Sequence, residues 1–406
     1  MKCVGVGRSR GLGLSAPAAD LNEYHRCFEN FAWKTNLTSS KPDPIQKWQL
    51  DPYRLHRIAL LPTNDRLTKE TILRACEELN QEDRKEIIAL ILHQNLACFW
   101  LETLPAHPEL PFTPADREVL RMQCFRHATR YLAQKKTLIE IDTVFSSAEI
   151  AYAVFKGALT REVVYVDPAF RPSADIDILI SPADTSRAVT TLCRAGYTLS
   201  ANRENVSNEV TLTKDNVHLD LHWHIMRPGR PRMNMTELYL QSRQRYDYFW
   251  GLDRESALLV LLTHPVFTEY STGPGSSVLK LADLGMWIEK QEIDWQRALH
   301  LLEISGMKTA AWITATLLAS LTEWRLPASI YQALQPGRLK SLALGKWLDC
   351  NLSARFINHP YLPKYLFTLL AHDCFRDRVH FIRTFLRERR QRDAVMRQLL
   401  QAASGQ

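Results

Sequence analysis

The sequence predicts an α+β fold, a small mixed β-sheet flanked by N-terminal and C-terminal helical regions. Three observations predict it. From about residue 65 to 145, apolar residues recur at three- and four-residue spacing, the period of a helix. Between Ala151 and about Trp223 the segments shorten and alternate polar with apolar residues, the period of a strand. Beyond the breaker cluster Arg227-Pro228-Gly229-Arg230-Pro231 the helical period returns and persists. The expected division is therefore a leader (1–45), an N-terminal helical region (46–149), a sheet core (150–232) and a C-terminal helical region (233–406).

Taken in order, the leader is rich in Gly, Ser, Asn and Pro without lasting periodicity. Helices are expected over Thr68–Glu78, Asp83–Leu101 and Pro114–Phe145. Thr113 would cap the last of these, and Pro114 suits its first turn because its missing N–H would be unpaired there anyway. Val154 to Thr160 reads as a short strand turning through Gly157 into a helix. A strand at Asp175–Ile180 follows, then a helix from Ser181 to Ala195 closed by Gly196, a strand around Tyr197, and strands at Val210–Thr213 and Val217–Trp223.

Composition bounds the function. A chain of 406 residues that is 46% hydrophobic can bury a large core. The net charge of +7 makes an anionic partner reasonable without requiring one. Eight cysteines are scattered with no C-x-x-C pair, which argues against a zinc ribbon or a disulfide framework. No apolar run approaches the roughly 20 residues of a membrane-spanning helix, and Thr309–Leu321 reads instead as a buried helix. The first thirteen residues carry arginines within their apolar stretch, so no secretory signal is expected. Reduced thiols and these absences lead to the expectation of a cytoplasmic protein with no membrane partner.

The chemistry is concentrated in Arg171-Pro172-Ser173-Ala174-Asp175-Ile176-Asp177-Ile178-Leu179-Ile180. Carboxylates at i and i+2 of a strand share one face, while Ile176, Ile178 and Ile180 point into a core. Two like charges side by side are costly unless cations lie between them. His218-Leu219-Asp220-Leu221-His222-Trp223-His224 alternates in the same way and offers a third carboxylate on a neighbouring strand. Three acids on two strands suit a two-metal site for phosphoryl or nucleotidyl transfer. Upstream, the turn at Lys156-Gly157-Ala158 exposes a helix N-terminus, which suits a polyphosphate.

The order Lys156-Gly157-Ala158, then Tyr165-x-Asp167-Pro168-x-x-Arg171-Pro172-x-x-Asp175-x-Asp177, then Leu219-Asp220-Leu221-His222-Trp223, resembles the uncharacterised nucleotidyltransferases of the DNA polymerase β-like superfamily. The chain departs from the superfamily's common Gly-Ser pair at Gly157-Ala158, and its spacer to Asp175 is long. The resemblance implies that residues 150–232 form a nucleotidyltransferase catalytic core. Asp175, Asp177 and Asp220 would be the catalytic acids and ligands of Mg²⁺ or Mn²⁺. Lys156, Gly157, Ala158, Arg171 and Lys280 would be candidates for holding the nucleotide, ATP or another NTP. A nucleoside monophosphate would pass to an acceptor hydroxyl or amine on a small molecule, peptide or RNA, with release of pyrophosphate.

Other readings are weighed beside this one. Asp175 and Asp177 could be a solvated pair at a strand edge, Asp220 could pair with an arginine, and Lys280 could be an ordinary solvated lysine. Lys156 and Arg171 could neutralise the acids rather than touch a triphosphate. His218, His222 and His224 share one strand face, but one strand alone rarely builds a zinc site, so His222 reads as a satisfied histidine beside the acids. The glycines of the leader lack the strand and helix that a dinucleotide loop needs. Arginines crowd the C-terminal segment, yet acids interleave with them, and Phe375, Phe381 and Phe385 fall at core spacing, so nucleic-acid binding is not favoured. A catalytically inactive nucleotide-binding or scaffold protein, a toxin-like transferase acting on tRNA or protein, and a hydrolase or kinase-like phosphotransferase are the alternatives.

Overall fold

Asp175–Ile180 (β2) and Val217–His222 (β5) pair in parallel at the middle of the sheet. The computed structural model describes residues 54–64, 69–77, 79–106, 108–110, 112–200, 208–269, 277–349 and 361–404. The expected leader, residues 1–45, lies outside them. Seven strands form one mixed sheet in the order β3-β4-β5-β2-β1-β7-β6. These are Tyr152–Phe155 (β1), β2, Thr198–Ser200 (β3), Glu209–Lys214 (β4), β5, Gln244–Arg245 (β6) and Trp250–Gly251 (β7). Parallel pairing is confined to β2 with β5 and β1 with β7. The fold is α+β, as the alternation of periods predicts.

Among the described residues five helices precede the sheet: α1 (Arg54–Leu60), α2 (Lys69–Glu77), α3 (Gln81–His93), α4 (Ala97–Thr103) and α5 (Pro114–Ser147). The expected single helix Asp83–Leu101 is two, because Asn95 takes a left-handed φ of 59° and ends α3. Asparagine tolerates that conformation, and the 3.6-residue apolar period runs on across the break, so periodicity alone conceals it. Thr113 caps α5 as expected, its hydroxyl accepting from the Asp116 N–H while the Asp116 carboxylate accepts from the Thr113 N–H.

Lys156–Val164 (α6) leaves β1 directly, and Thr185–Arg194 (α7) follows a short 3₁₀ turn after β2. The expected helix from Ser181 is therefore α-helical only from Thr185, since Pro182-Ala183-Asp184 form that turn. Gly196 closes the segment at φ 92°, a conformation that favours glycine. The sheet's apolar face carries Ile176, Ile178, Ile180, Leu219 and Leu221, all fully buried. Helix α5 packs over it, with the Phe145 ring meeting Tyr152 edge-on at 5.5 Å. The burial of each such aliphatic side chain is worth about 1.5–3 kcal/mol, which fixes the register and turns the acids to the other face.

After β5 come Thr236–Gln241 (α8), β6, β7, Arg254–Thr268 (α9), Leu279–Lys290 (α10), Trp295–Ser305 (α11) and Lys308–Leu321 (α12). Ala328–Leu334 (α13), Arg338–Asp349 (α14), Tyr361–Ala371 (α15) and Phe375–Ser404 (α16) complete the described chain. Strands β6 and β7 correct the expectation that the sheet ends by about residue 224. Each has two residues, too few to display a period, and β7 joins β1 through Val154 and Gly251. Helix α12 is buried along most of its length, as read from Thr309–Leu321. Among the described residues no helix is long and apolar enough to cross a membrane.

Candidate active site

The polar face of the sheet is built by three strands in register. Asp177 lies directly across from Asp220, Asp175 across from His218, and Thr211 of β4 across from Asp220 on its other side. The alternation that buries the isoleucines of β2 and the leucines of β5 thus brings their carboxylates onto one surface. Asp177 is 3% exposed, and its Oδ1 accepts from Lys156 Nζ at 2.6 Å and meets His222 Nε2 at 2.9 Å. The other imidazole nitrogen, Nδ1, lies 2.9 Å from Glu209 Oε2. Asp220 accepts from the Thr211 hydroxyl at 2.6 Å.

Electrostatics follow from this packing. Asp175 is raised to about 6, first by the neighbouring Asp177 charge and then by burial. Burial also raises Asp220, against the Thr211 hydrogen bond. For Asp177 burial acts upward too, but Lys156 and His222 outweigh it and hold its carboxyl well below the usual range. Burial and Lys156 push His222 down, yet its two carboxylate partners prevail and raise it. Four carboxylates, Asp175, Asp177, Asp220 and Glu209, therefore face the Lys156 ammonium and one imidazole, and the site has an excess of negative charge.

That excess is the test of metal fit, and the donor set passes it. Donor atoms of Asp177, Asp220 and His222 all lie within 4.8 Å of one another, a spacing that suits a shared cation. Asp175, at the start of β2, is not in that group. The structure thus brings Asp177, Asp220 and His222 together, with both ring nitrogens of His222 against carboxylates beside the acids.

The nucleotide-side candidates divide. Lys156 is at the mouth of α6 beside Asp177 and holds a left-handed φ of 53°, a strained conformation for lysine. Ala158 is fully buried. Gly157 has a packing reason to be glycine: a Cβ there would lie 2.1 Å from Arg171 Nη1 and 2.7 Å from Ser173 Oγ. Arg171 is turned from the carboxylates to Asp283 of α10, with Nη2 to Oδ2 at 2.7 Å and Nε to both oxygens at 3.2 Å. The Tyr165 hydroxyl donates to the same carboxylate at 2.8 Å. Lys280, one helical turn from Asp283, pairs with Glu269. Burial and the nearby cations Lys156 and Arg171 push it down to about 8.

Glu209, Thr211 and His264 were not identified from sequence. Starting the β4 strand at Glu209 instead of Val210 would have placed Glu209 and Thr211 on the acidic face. His264, in the apolar C-terminal half of α9, is held neutral by burial and by Lys156 and Lys280. Its isolation in Leu261-Leu262-Thr263-His264-Pro265-Val266 was the available signal.

No curated protein matches the chain. A family model described as an uncharacterised nucleotidyltransferase matches residues 80–323, a span that takes in every residue of the acidic face, and the chain belongs to that nucleotidyltransferase family.

Proposed function

We propose that the protein transfers a nucleoside monophosphate from an NTP to an acceptor hydroxyl or amine. The observation that carries this reading is the common face of Asp175, Asp177 and Asp220 on two adjacent parallel strands, with more negative charge than Lys156 and His222 balance. Asp175 and Asp177 would hold the divalent cation that meets the triphosphate, and Asp220 would complete with Asp177 a second one that meets the acceptor. Bound Mg²⁺ or Mn²⁺ would neutralise triphosphate charge and acidify the acceptor.

The chain's own groups have separate tasks. Lys156 and the backbone N–H groups of Gly157 and Ala158 would take the β- and γ-phosphates at the positive end of α6. Lys280 would add a second cation to that side. Asp220 would accept the acceptor's proton as its oxygen or nitrogen bonds to the α-phosphorus. The bond from that phosphorus to the bridging oxygen breaks, and pyrophosphate leaves. Arg171 acts through others: paired to Asp283 and pressed against Gly157, it positions the turn that carries Lys156. Glu209 orients His222.

The test compares α- and γ-labelled NTP across a panel of acceptors, with Mg²⁺, in wild type and in the Asp175→Asn/Asp177→Asn variant. Label from the α-position on an acceptor, lost in the variant, is the expected result. Transfer of γ-label instead would replace the reading with a kinase-like one. Equal metal-nucleotide affinity in the variant and wild type, by calorimetry, would remove the site assignment.

A further inference from the structure

A cavity of about 460 Å³ lies away from the acidic face, between the segment that follows β5 and helix α16. None of Asp175, Asp177 and Asp220 lines it. One wall is apolar. Met226, Met233, Met235 and Met307 line it, four of the chain's eight methionines, beside Trp223. Met226, Met235 and Met307 are also packed into the core while Met233 is exposed, and methionine adapts its shape to irregular apolar partners, so this wall suits the apolar body of a ligand.

The opposite wall is cationic. Arg387 and Arg392 of α16 reach the cavity and have no ion-pair partner among the described residues. The Arg392 Nε is buried without a hydrogen-bond partner. Arg232, also in the lining, is by contrast neutralised by Asp377 at 2.9 and 3.0 Å. Glu388 is the acid among the lining residues. Cations crowd just behind the wall: Arg230 is pushed down to about 10, first by burial and then by Arg227, with Glu388 and Tyr365 acting the other way, and both arginines lower Lys364 further after its burial. Such mutual repulsion marks a region of positive potential that an anion relieves.

We propose that this cavity binds a small anionic molecule with an apolar body, its carboxylate, phosphate or sulfonate against Arg387 and Arg392 and its ring or chain against the methionines. The volume falls in the range of about 300–1,000 Å³ typical of small-molecule sites. Residues 223–239 and Met307 lie within the part of the chain that the family model matches, whereas α16 lies beyond it. The site is therefore completed by a helix outside the matched region. It stands independently of the reaction proposed above.

The probe is 8-anilinonaphthalene-1-sulfonate, an aromatic anion whose fluorescence rises in apolar surroundings, with the neutral N-phenyl-1-naphthylamine as its control. Both are titrated into the full chain, the Arg387→Glu/Arg392→Glu variant, the milder Arg387→Gln/Arg392→Gln variant and the cavity-filling Val395→Trp variant. Circular dichroism melts identify which variants are folded. Expected are one saturable site for the anion, at least ~10-fold weaker binding after charge reversal, an intermediate loss with glutamine, and loss of both probes in Val395→Trp. The neutral probe should change less than ~3-fold on charge reversal. Anion affinity equal to wild type in the folded charge variants, or full binding of both probes in Val395→Trp, would overturn the proposal.

Discussion

Replacing Asp283 with asparagine removes the charge opposite a buried guanidinium. Arg171 and Asp283 have side chains 8% and 1% exposed and share three contacts of 2.7 to 3.2 Å, so neither charge is hydrated once the other is lost. Breaking such a buried pair by removing one partner costs about 3–5 kcal/mol. That is a third or more of the ~5–15 kcal/mol by which domains are stable. The Tyr165 hydroxyl keeps a neutral acceptor in asparagine, so its share of the loss is small. Urea unfolding followed by circular dichroism measures the change, which should appear in the midpoint with the slope unaltered. The companion Arg171→Met/Asp283→Leu should recover at least half of the loss, because paired removal leaves no buried charge. An Asp283→Asn protein within ~1 kcal/mol of wild type, or a double variant no more stable than the single one, would refute the view that this pair is a buried structural clamp.

Gly157→Ala forces a Cβ to 2.1 Å from Arg171 Nη1 and should cost about 1–3 kcal/mol as overpacking, read as a lower melting temperature, and should weaken Mg²⁺-nucleotide binding by calorimetry. Asp220→Asn should leave nucleotide affinity within a few-fold of wild type while single-turnover transfer falls at least ~100-fold, because the proton acceptor acts only on the reacting acceptor. His127, buried against Cys98 and lowered to about 4 by desolvation and then by Arg130, folds in its neutral form. Its contribution is whole above the unfolded value near ~6.5 and is lost as pH falls toward about 4, at about 1.4 kcal/mol per unit. Urea midpoints at pH 7 and pH 5 should therefore diverge less in His127→Gln than in wild type, and equal divergence would contradict this assignment.

The sheet was legible because burial and alternation coincide in it. In β2 and β5 every second residue is aliphatic and fully buried, so the two carboxylate positions could be assigned to one face without knowing the partner strand. Where burial and period separate, the reading failed. The α3–α4 break at Asn95 leaves the apolar spacing intact, and β6 and β7 are too short to have a spacing at all. Their place in the sheet comes from long-range packing: Gly251 sits where a Cβ would be 2.7 Å from Leu159 of α6. Nothing local to the sequence around residue 251 carries that requirement.

The candidate site divides along the same line. The acids were found by their own strand periodicity, but what each basic residue touches depends on helices that return from elsewhere in the chain. Arg171 is four residues from Asp175, and sequence proximity made it a candidate for the phosphates; α10 brings Asp283 to it from 112 residues away. Lys156 stands 21 residues from Asp177 and yet bonds to it, because β1 is antiparallel to β2 and ends opposite that aspartate. His222 needed two strands at once, β2 to supply Asp177 and β4 to supply Glu209, and a reading that counted the histidines of one strand could not weigh it. A charge pattern thus locates the acids that need compensation, while the identity of the compensating groups is a property of the closed fold.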